Sequence, residues 1–187
     1  MAKLYFRYSA MNAGKSTALL QVAHNYGEHG RNVLIFTSAL DDRYGTGIVT
    51  SRLGFSRGAA TYDDTFDFYA RLENEREVAC ILVDEAQFLT KEHVQQLHRA
   101  AHVLGVPIIC YGLRSDFLGE PFPGSAHLLT LADSIEELKT VCACGRKATM
   151  NVRVDADGRR VTQGEQIAIE GEHHYVQVCG SCFYRNG

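Results

Sequence analysis

Lys15 and Ser16 close a run of small residues, Ser9-Ala10-Met11-Asn12-Ala13-Gly14-Lys15-Ser16. The run is close to G-x-x-x-x-G-K-[ST], the loop that wraps phosphates. Small side chains let successive backbone N–H groups turn inward around phosphate oxygens. Lys15 adds a mobile positive charge for the β- and γ-phosphates, and the Ser16 hydroxyl suits Mg²⁺. Ser9 stands where the pattern has Gly, so the turn there has to accept a Cβ. A second group, Asp84 and Glu85, ends the apolar run Val78-Ala79-Cys80-Ile81-Leu82-Val83. Acids at the carboxyl end of a buried parallel strand lie where open α/β sheets bind ligands. Asp84 fits the acid that holds the Mg²⁺ of P-loop enzymes, and Glu85, one residue on, is placed to act as a base. The third group is Cys142, Cys144, Cys179 and Cys182. Such C-x-C and C-x-x-C pairs suit tetrahedral Zn²⁺ with four thiolates, a closed set whose role is structural. Free thiols or a redox pair are the alternative readings.

These groups need elements to place them. Leu4, Tyr5, Phe6 and Tyr8 read as a buried strand ahead of the phosphate loop. Lys15 to about His29 reads as a helix with Leu19, Leu20 and Ala23 inward, ended by Gly27 and Gly30. Asn32 to Thr37 is a short apolar run of the kind covered on both faces in a parallel sheet. Residues 38–62 form a glycine-rich, polar connection, and one that long is functional or mobile. Its Arg43 and Arg52 either reach substrate phosphates or are solvated surface residues. Asp63 or Asp64 is expected to cap a helix carrying Phe66, Tyr69 and Ala70 inward. Thr90 caps another, with Val94, Leu97, Ala101 and Leu104 on one face. Val106 to Tyr111 is a strand with Pro107 near its start, and Ser125 begins a short helix through Leu131. Strands alternating with helices predict a three-layer α/β domain with a mainly parallel sheet.

Beyond Lys139 the helical pattern stops. Met150–Val154, Gln166–Ile169 and Tyr175–Val178 read as short strands, with Asp155–Gly158 as a turn. The expected division is therefore 1–139 and 140–187. So small a C-terminal module buries too little to stand alone, and metal supplies the deficit. His173 and His174 are expected at the surface, because four thiolates already complete the site. Cys80 and Cys110 sit singly in apolar runs and read as buried structural thiols.

Composition narrows the classes. The 187 residues are 45% hydrophobic with a formal net charge of −3. That argues against a nucleic-acid partner bound through a strong basic field. The N-terminus lacks a signal peptide's apolar core, and no run approaches membrane-spanning length. A cytoplasmic protein with no membrane partner is the expectation.

Four stretches in order resemble thymidine kinases of the cytosolic, zinc-containing type, in their bacterial branch. They are Met11–Thr17, Asp84-Glu85-Ala86-Gln87-Phe88, Cys110–Phe117, and Gly164-Glu165-Gln166 through Tyr175–Cys179. The resemblance spans essentially the whole chain. It implies transfer of the γ-phosphate of ATP to the 5′-hydroxyl of thymidine, with Mg²⁺ and a structural Zn²⁺. On this resemblance Ser9, Ala10, Met11, Asn12, Ala13, Gly14, Lys15 and Ser16, with Asp84 and Gln87, bind the donor. Glu85 matches the family's catalytic carboxylate. Phe88, Leu113, Phe117 and Phe122 match the thymine pocket, with Ile169 and Tyr175 on a loop between the cysteine pairs that closes over the nucleoside, the lasso. Glu170-Gly171 stands where many relatives have Gly-Gly, and relatives in this branch share Ser9. The resemblance further implies a homotetramer inhibited by thymidine triphosphate.

Two other classes compete. A nucleic-acid-dependent ATPase would use Glu85 to activate water, but the charge of −3 and the lack of a basic stripe oppose it. A non-enzymatic zinc-ribbon module would not need an intact phosphate loop with both carboxylates.

Overall fold

The computed structural model describes residues 1–41, 45–75, 77–166 and 174–185. Chain order begins with β1 (Leu4–Ser9), α1 (Lys15–Glu28) and β2 (Asn32–Ser38), followed by the short strands β3 (Ile48–Thr50), β4 (Ser56–Gly58) and β5 (Ala60–Tyr62). Next come α2 (Phe68–Glu73), β6 (Val78–Val83), a 3-10 turn (Ala86–Phe88), α3 (Lys91–Val103), β7 (Ile108–Leu113), α4 (Pro123–Leu131) and β8 (Ser134–Glu137). The C-terminal part holds β9 (Thr140–Val141), β10 (Lys147–Ala148), β11 (Met150–Val154), β12 (Arg160–Val161), β13 (His174–Val178) and α5 (Gly180–Arg185).

Six strands form one sheet in the order β5-β2-β6-β7-β1-β8, and every adjacent pair is parallel. The apolar runs of β1, β2 and β6 split by alternation between two covered faces. Leu4, Phe6, Phe36, Ile81 and Val83 pack beneath α2, α3 and α4. Ile35, Cys80, Leu82 and Tyr111 pack beneath Leu19, Leu20 and Ala23 of α1. Three layers result, as the alternating pattern predicts. Burial pushes the thiol of Cys80 up to about 11 and that of Cys110 further, so both are inert packing groups.

Several boundaries differ from expectation. The connection 38–62 contains the β3–β4 hairpin and edge strand β5. Asp63 does not cap α2: its carboxylate accepts the Thr65 N–H and hydroxyl in a local turn. Asp67 is the cap, accepting the Ala70 N–H, so the helix buries Phe68 and Leu72 and leaves Ala70 exposed. Thr90 does cap α3, in a reciprocal pair with His93. Edge strand β8 pairs with β1 through Tyr5↔Ser134 to Tyr8↔Glu137, and α4 starts at Pro123.

In the C-terminal part, β12-β11-β13 form an antiparallel sheet with Asn151 opposite Gln177 and Arg153 opposite Tyr175. Directly opposed residues project to the same face. One face, with Val152 and Val178, packs on Cys142, Cys179 and Phe183. The other carries Asn151, Arg153, Tyr175 and Gln177. From residue 167, the strand expected over Gln166–Ile169 lies outside the described residues, as do Arg43, Glu170, Gly171 and His173.

Candidate active site

The parallel sheet brings the ends of β1, β6 and β7 side by side, with Ser9 beside Leu113 and Val83 beside Cys110. A cleft of about 920 Å³ opens beyond those ends. Met11 to Thr17 line it from the phosphate loop, Glu85, Gln87 and Phe88 from the β6 end, and Leu113, Phe117 and Phe122 from the segment after β7. Gln166, His174 and Tyr175 line it from the C-terminal part, and Arg52 from the hairpin. Of the two candidate arginines, Arg52 therefore reaches the cleft, and Arg43 lies outside the described residues. The same holds for Ile169. His174 is exposed and faces the cleft, outside the cysteine group.

Local conformation explains the loop's residue types. Left-handed backbone falls on Asn12 (φ 61°) and Gly14 (φ 78°), residues that tolerate it. Ser9 is still in the extended strand, so its Cβ meets no strain there. Its hydroxyl accepts a hydrogen bond from Lys15 Nζ at 3.2 Å, and Ala10 is buried beside it. Gly14 caps α1 without a side chain, and no acid occupies the first turn. The positive end of α1 therefore faces the cleft without an acid of its own first turn to neutralise it.

Asp84 is buried, and Ser16 Oγ donates to its Oδ2 at 3.0 Å. Its Oδ1 is buried with no hydrogen-bond partner among the described residues, an arrangement that costs free energy unless a cation or donor completes it. Burial, with Glu85 adjacent, pushes the Asp84 carboxyl up to about 7. The Ser16 hydroxyl and the Asp84 carboxylate, with its orphaned Oδ1, form an all-oxygen donor set of the kind Mg²⁺ prefers.

Glu85 adopts left-handed backbone, φ 51° and ψ 37°, which costs a non-glycine residue on the order of 1–3 kcal/mol. Its surroundings hold it there. Tyr62 Oη donates to the Glu85 carbonyl at 2.9 Å, and Gln87 Nε2 donates to its carboxylate. Gln87 is buried and its Oε1 accepts the Leu113 N–H at 3.1 Å. A Cβ on Gly112 would lie 2.9 Å from the Gln87 nitrogen, and one on Gly124 would lie 2.5 Å from the Ala86 carbonyl oxygen. Both glycines are needed for the 3-10 turn to seat against β7 and α4. Gln87 thus braces Glu85 from inside the turn.

The apolar wall is built differently. Phe88 and Phe122 meet edge to face, ring centroids 5.9 Å apart. Phe117 is buried, and the Arg153 guanidinium stacks 3.8 Å from its centroid. Arg153 Nε donates to Tyr175 Oη at 3.0 Å and its Nη2 to the Glu165 carbonyl at 2.6 Å. Asp116 accepts the Leu118 and Glu120 N–H groups and the Gln166 amide. Sequence reading missed Arg153, Asp116 and Asn151 as site residues. Charged or amide side chains inside the apolar strand Met150–Val154 were the available signal.

The four cysteines converge within the C-terminal part, with one sulfur from each within 4.8 Å of the others. The turn through Cys142 and Gly145 (φ 84°) closes with Gly145 N–H on the Cys142 carbonyl at 2.8 Å. Backbone N–H groups of Cys144 and Cys179 hold the Cys142 thiol down at about 6, and that of Cys182 lowers Cys179. The facing sulfurs of Cys144, Cys179 and Cys142 push the Cys182 thiol up to about 12 in turn, so it is the convergence of four sulfurs that lets this group hold zinc as thiolates.

The geometry has counterparts in known sequences. The family described as thymidine kinase matches residues 2–183. A thymidine kinase of Chromobacterium violaceum is 59% identical over 186 residues, covering 100% of both chains. One from Albidiferax ferrireducens is 58% identical, covering 98% of this chain and 93% of its own. One from Yersinia pestis is 53% identical, covering 96% and 93%. On full-length identity of this order, this chain belongs to the thymidine kinase family.

Proposed function

We propose that the chain transfers the γ-phosphate of ATP to the 5′-hydroxyl of thymidine, yielding thymidine monophosphate for DNA precursor synthesis. The observation that carries this reading is one cleft lined together by the phosphate loop, Glu85 and an aromatic wall. Family membership selects the nucleoside.

Phosphoryl transfer needs positioning and charge neutralisation more than covalent chemistry. In this reading the loop from Ser9 to Ser16 receives the triphosphate on backbone N–H groups, and Lys15 neutralises its outer charge. Ser16 and Asp84 would hold Mg²⁺, which would supply charge neutralisation for the phosphates. Glu85 orients the acceptor hydroxyl and takes its proton, and Gln87 keeps the carboxylate aimed. Phe88, Leu113, Phe117, Phe122 and Tyr175 enclose the base, with Ile169 of the lasso as a further contact, and exclude water that would compete as acceptor.

Zn²⁺ held by Cys142, Cys144, Cys179 and Cys182 would stiffen residues 140–187 as a unit that closes on the donor-binding part, 1–139. A cytoplasmic location, a homotetrameric state and inhibition by thymidine triphosphate rest on the family resemblance. No helix among the described residues is long and apolar enough to cross a membrane.

The test is a nucleoside panel with ATP and Mg²⁺, scored for 5′-monophosphate. Thymidine should be converted, and Lys15→Ala should abolish conversion while leaving the circular dichroism spectrum unchanged. ATP hydrolysis stimulated by DNA, with no nucleoside converted, would replace this reading with the nucleic-acid-dependent ATPase.

A further inference from the structure

A second group of metal-ligating side chains lies away from the cleft. His98 and His102 are four residues apart on α3, a spacing that puts both rings on one helix face. Their ring centroids are 4.6 Å apart. Asp133, in the connection from α4 to β8, reaches the same place, with Oδ2 3.1 Å from His102 Nε2. One donor atom from each of the three lies within 4.8 Å of the others. Among the described residues, only these three and the four cysteines gather in this way.

The carboxylate is preset. Asp133 Oδ2 accepts the Leu4 N–H at 2.8 Å, and the Asp133 N–H donates to the Leu4 carbonyl at 2.9 Å. Asp133 is therefore held by the start of β1, independently of the histidines. An ion pair between His102 and Asp133 does not require His98, whose ring supplies a third donor. His102 and Asp133 are exposed, so a cation can enter from solvent. Leu4 opens β1 and the phosphate loop leaves its other end, about 17 Å away at the usual rise per residue. The group is too far from the cleft to take part in its chemistry.

Two imidazoles and one carboxylate suit borderline transition cations such as Zn²⁺, Ni²⁺ or Cu²⁺. Mg²⁺, which prefers an all-oxygen shell, is a poor match. We propose that His98, His102 and Asp133 form a second, transition-metal site with open coordination positions, which clamps the last turns of α3 to the α4–β8 connection. The site does not depend on the kinase reading.

The experiment uses the untagged full chain, with the cysteine group loaded with one zinc and excess metal removed. Zn²⁺ is then titrated calorimetrically in saturating Mg²⁺, and Tm is followed in parallel. One further equivalent should bind and raise Tm. His98→Ala and His102→Ala lie on a helix surface where Ala is well tolerated, so both variants should fold. Each should weaken this binding by at least the roughly 10–100-fold that loss of an outer-shell partner costs a metal site, and each should remove the Tm shift. No further equivalent in the parent protein would overturn the site. So would a further equivalent and Tm shift that both variants retain, which would leave His102 and Asp133 as an ion pair only.

Discussion

Asn151 Oδ1 accepts the Met11 backbone N–H at 2.8 Å, so a strand of the C-terminal part holds the phosphate loop directly. The same amide donates to the Ser115 carbonyl at 3.2 Å, and one position along, Asn12 Nδ2 donates to Gln177 Oε1 at 2.7 Å. Asn151 is buried, so truncation leaves polar groups of two loops unpaired. Asn151→Ala should cost about 1–3 kcal/mol of stability and weaken ATP binding, although Asn151 belongs to no phosphate motif. Asn151→Asp retains an acceptor for Met11 and should preserve more ATP affinity. Titration with a fluorescent ATP analogue checks this, and unchanged affinity in Asn151→Ala would remove the proposed coupling.

Glu85→Gln keeps the shape and hydrogen-bonding reach of the side chain but cannot take a proton. If Glu85 is the base, kcat should fall by the roughly 10²–10⁴-fold typical of lost general-base assistance. Michaelis constants should move far less, because the missing interaction belongs to the transition state. Timing thymidine monophosphate formation at saturating substrates measures it. A rate within a few-fold of the parent would remove Glu85 from the chemistry.

Asp84 makes metal-free stability depend on pH. Its folded value is pushed up to about 7, chiefly by burial, against roughly 4 in the unfolded chain. Between these values the native state binds more protons than the unfolded state, so stability falls as pH rises through the window. Asp84→Asn abolishes that loss. Without added Mg²⁺, the variant should gain little over the parent below about pH 4, and its advantage should grow to roughly 2–4 kcal/mol by pH 8. Thermal melts across this range test the sign, and a pH-independent difference would refute it. Adding Mg²⁺ at pH 8 should narrow the gap by stabilising the parent.

Cys179→Ser removes one of the four converging sulfurs. The expectation is one zinc per chain in the parent by elemental analysis and much weaker retention in the variant. The core around Val152, Val178 and Phe183 is small and includes Cys142 and Cys179 themselves, so the loss should be local. Limited proteolysis should cut within residues 140–187 first and release a stable fragment near 1–139. Uniform degradation of the chain would show that the two parts are not separable in stability.

Short-range information made much of this legible before any coordinates. The phosphate loop, the strand-end Asp84-Glu85 pair and the cysteine spacing are local patterns whose chemistry dictates residue type at each position. The central strands announced themselves as apolar runs because a parallel sheet is covered on both faces. The helices α1 and α3 carried their own periodicity, and α3 its cap. Edge strands β5 and β8 were not visible. They are short, and residues such as Glu136 and Glu137 carry no hydrophobic pattern; pairing with an existing strand makes them strands. The cap of α2 was displaced because Asp63 is engaged by Thr65.

By itself, then, the sequence determined the sheet's central strands, the residue types of the proposed phosphate loop and the spacing of the four cysteines. Only the tertiary structure decided which side chains complete the cleft. Alternation in Met150–Val154 puts Asn151 and Arg153 on one face, but a strand's period cannot say whether that face meets water or protein. Packing against the phosphate loop and Phe117 buries them there, and so gives Asn151 a loop to hold and Arg153 a ring to cover. The strained backbone of Glu85 is likewise invisible in its residue type. It exists because Tyr62 and the two close-packed glycines, Gly112 and Gly124, converge from three distant segments on a turn that Gln87 braces from within, and only the folded chain brings those segments within reach.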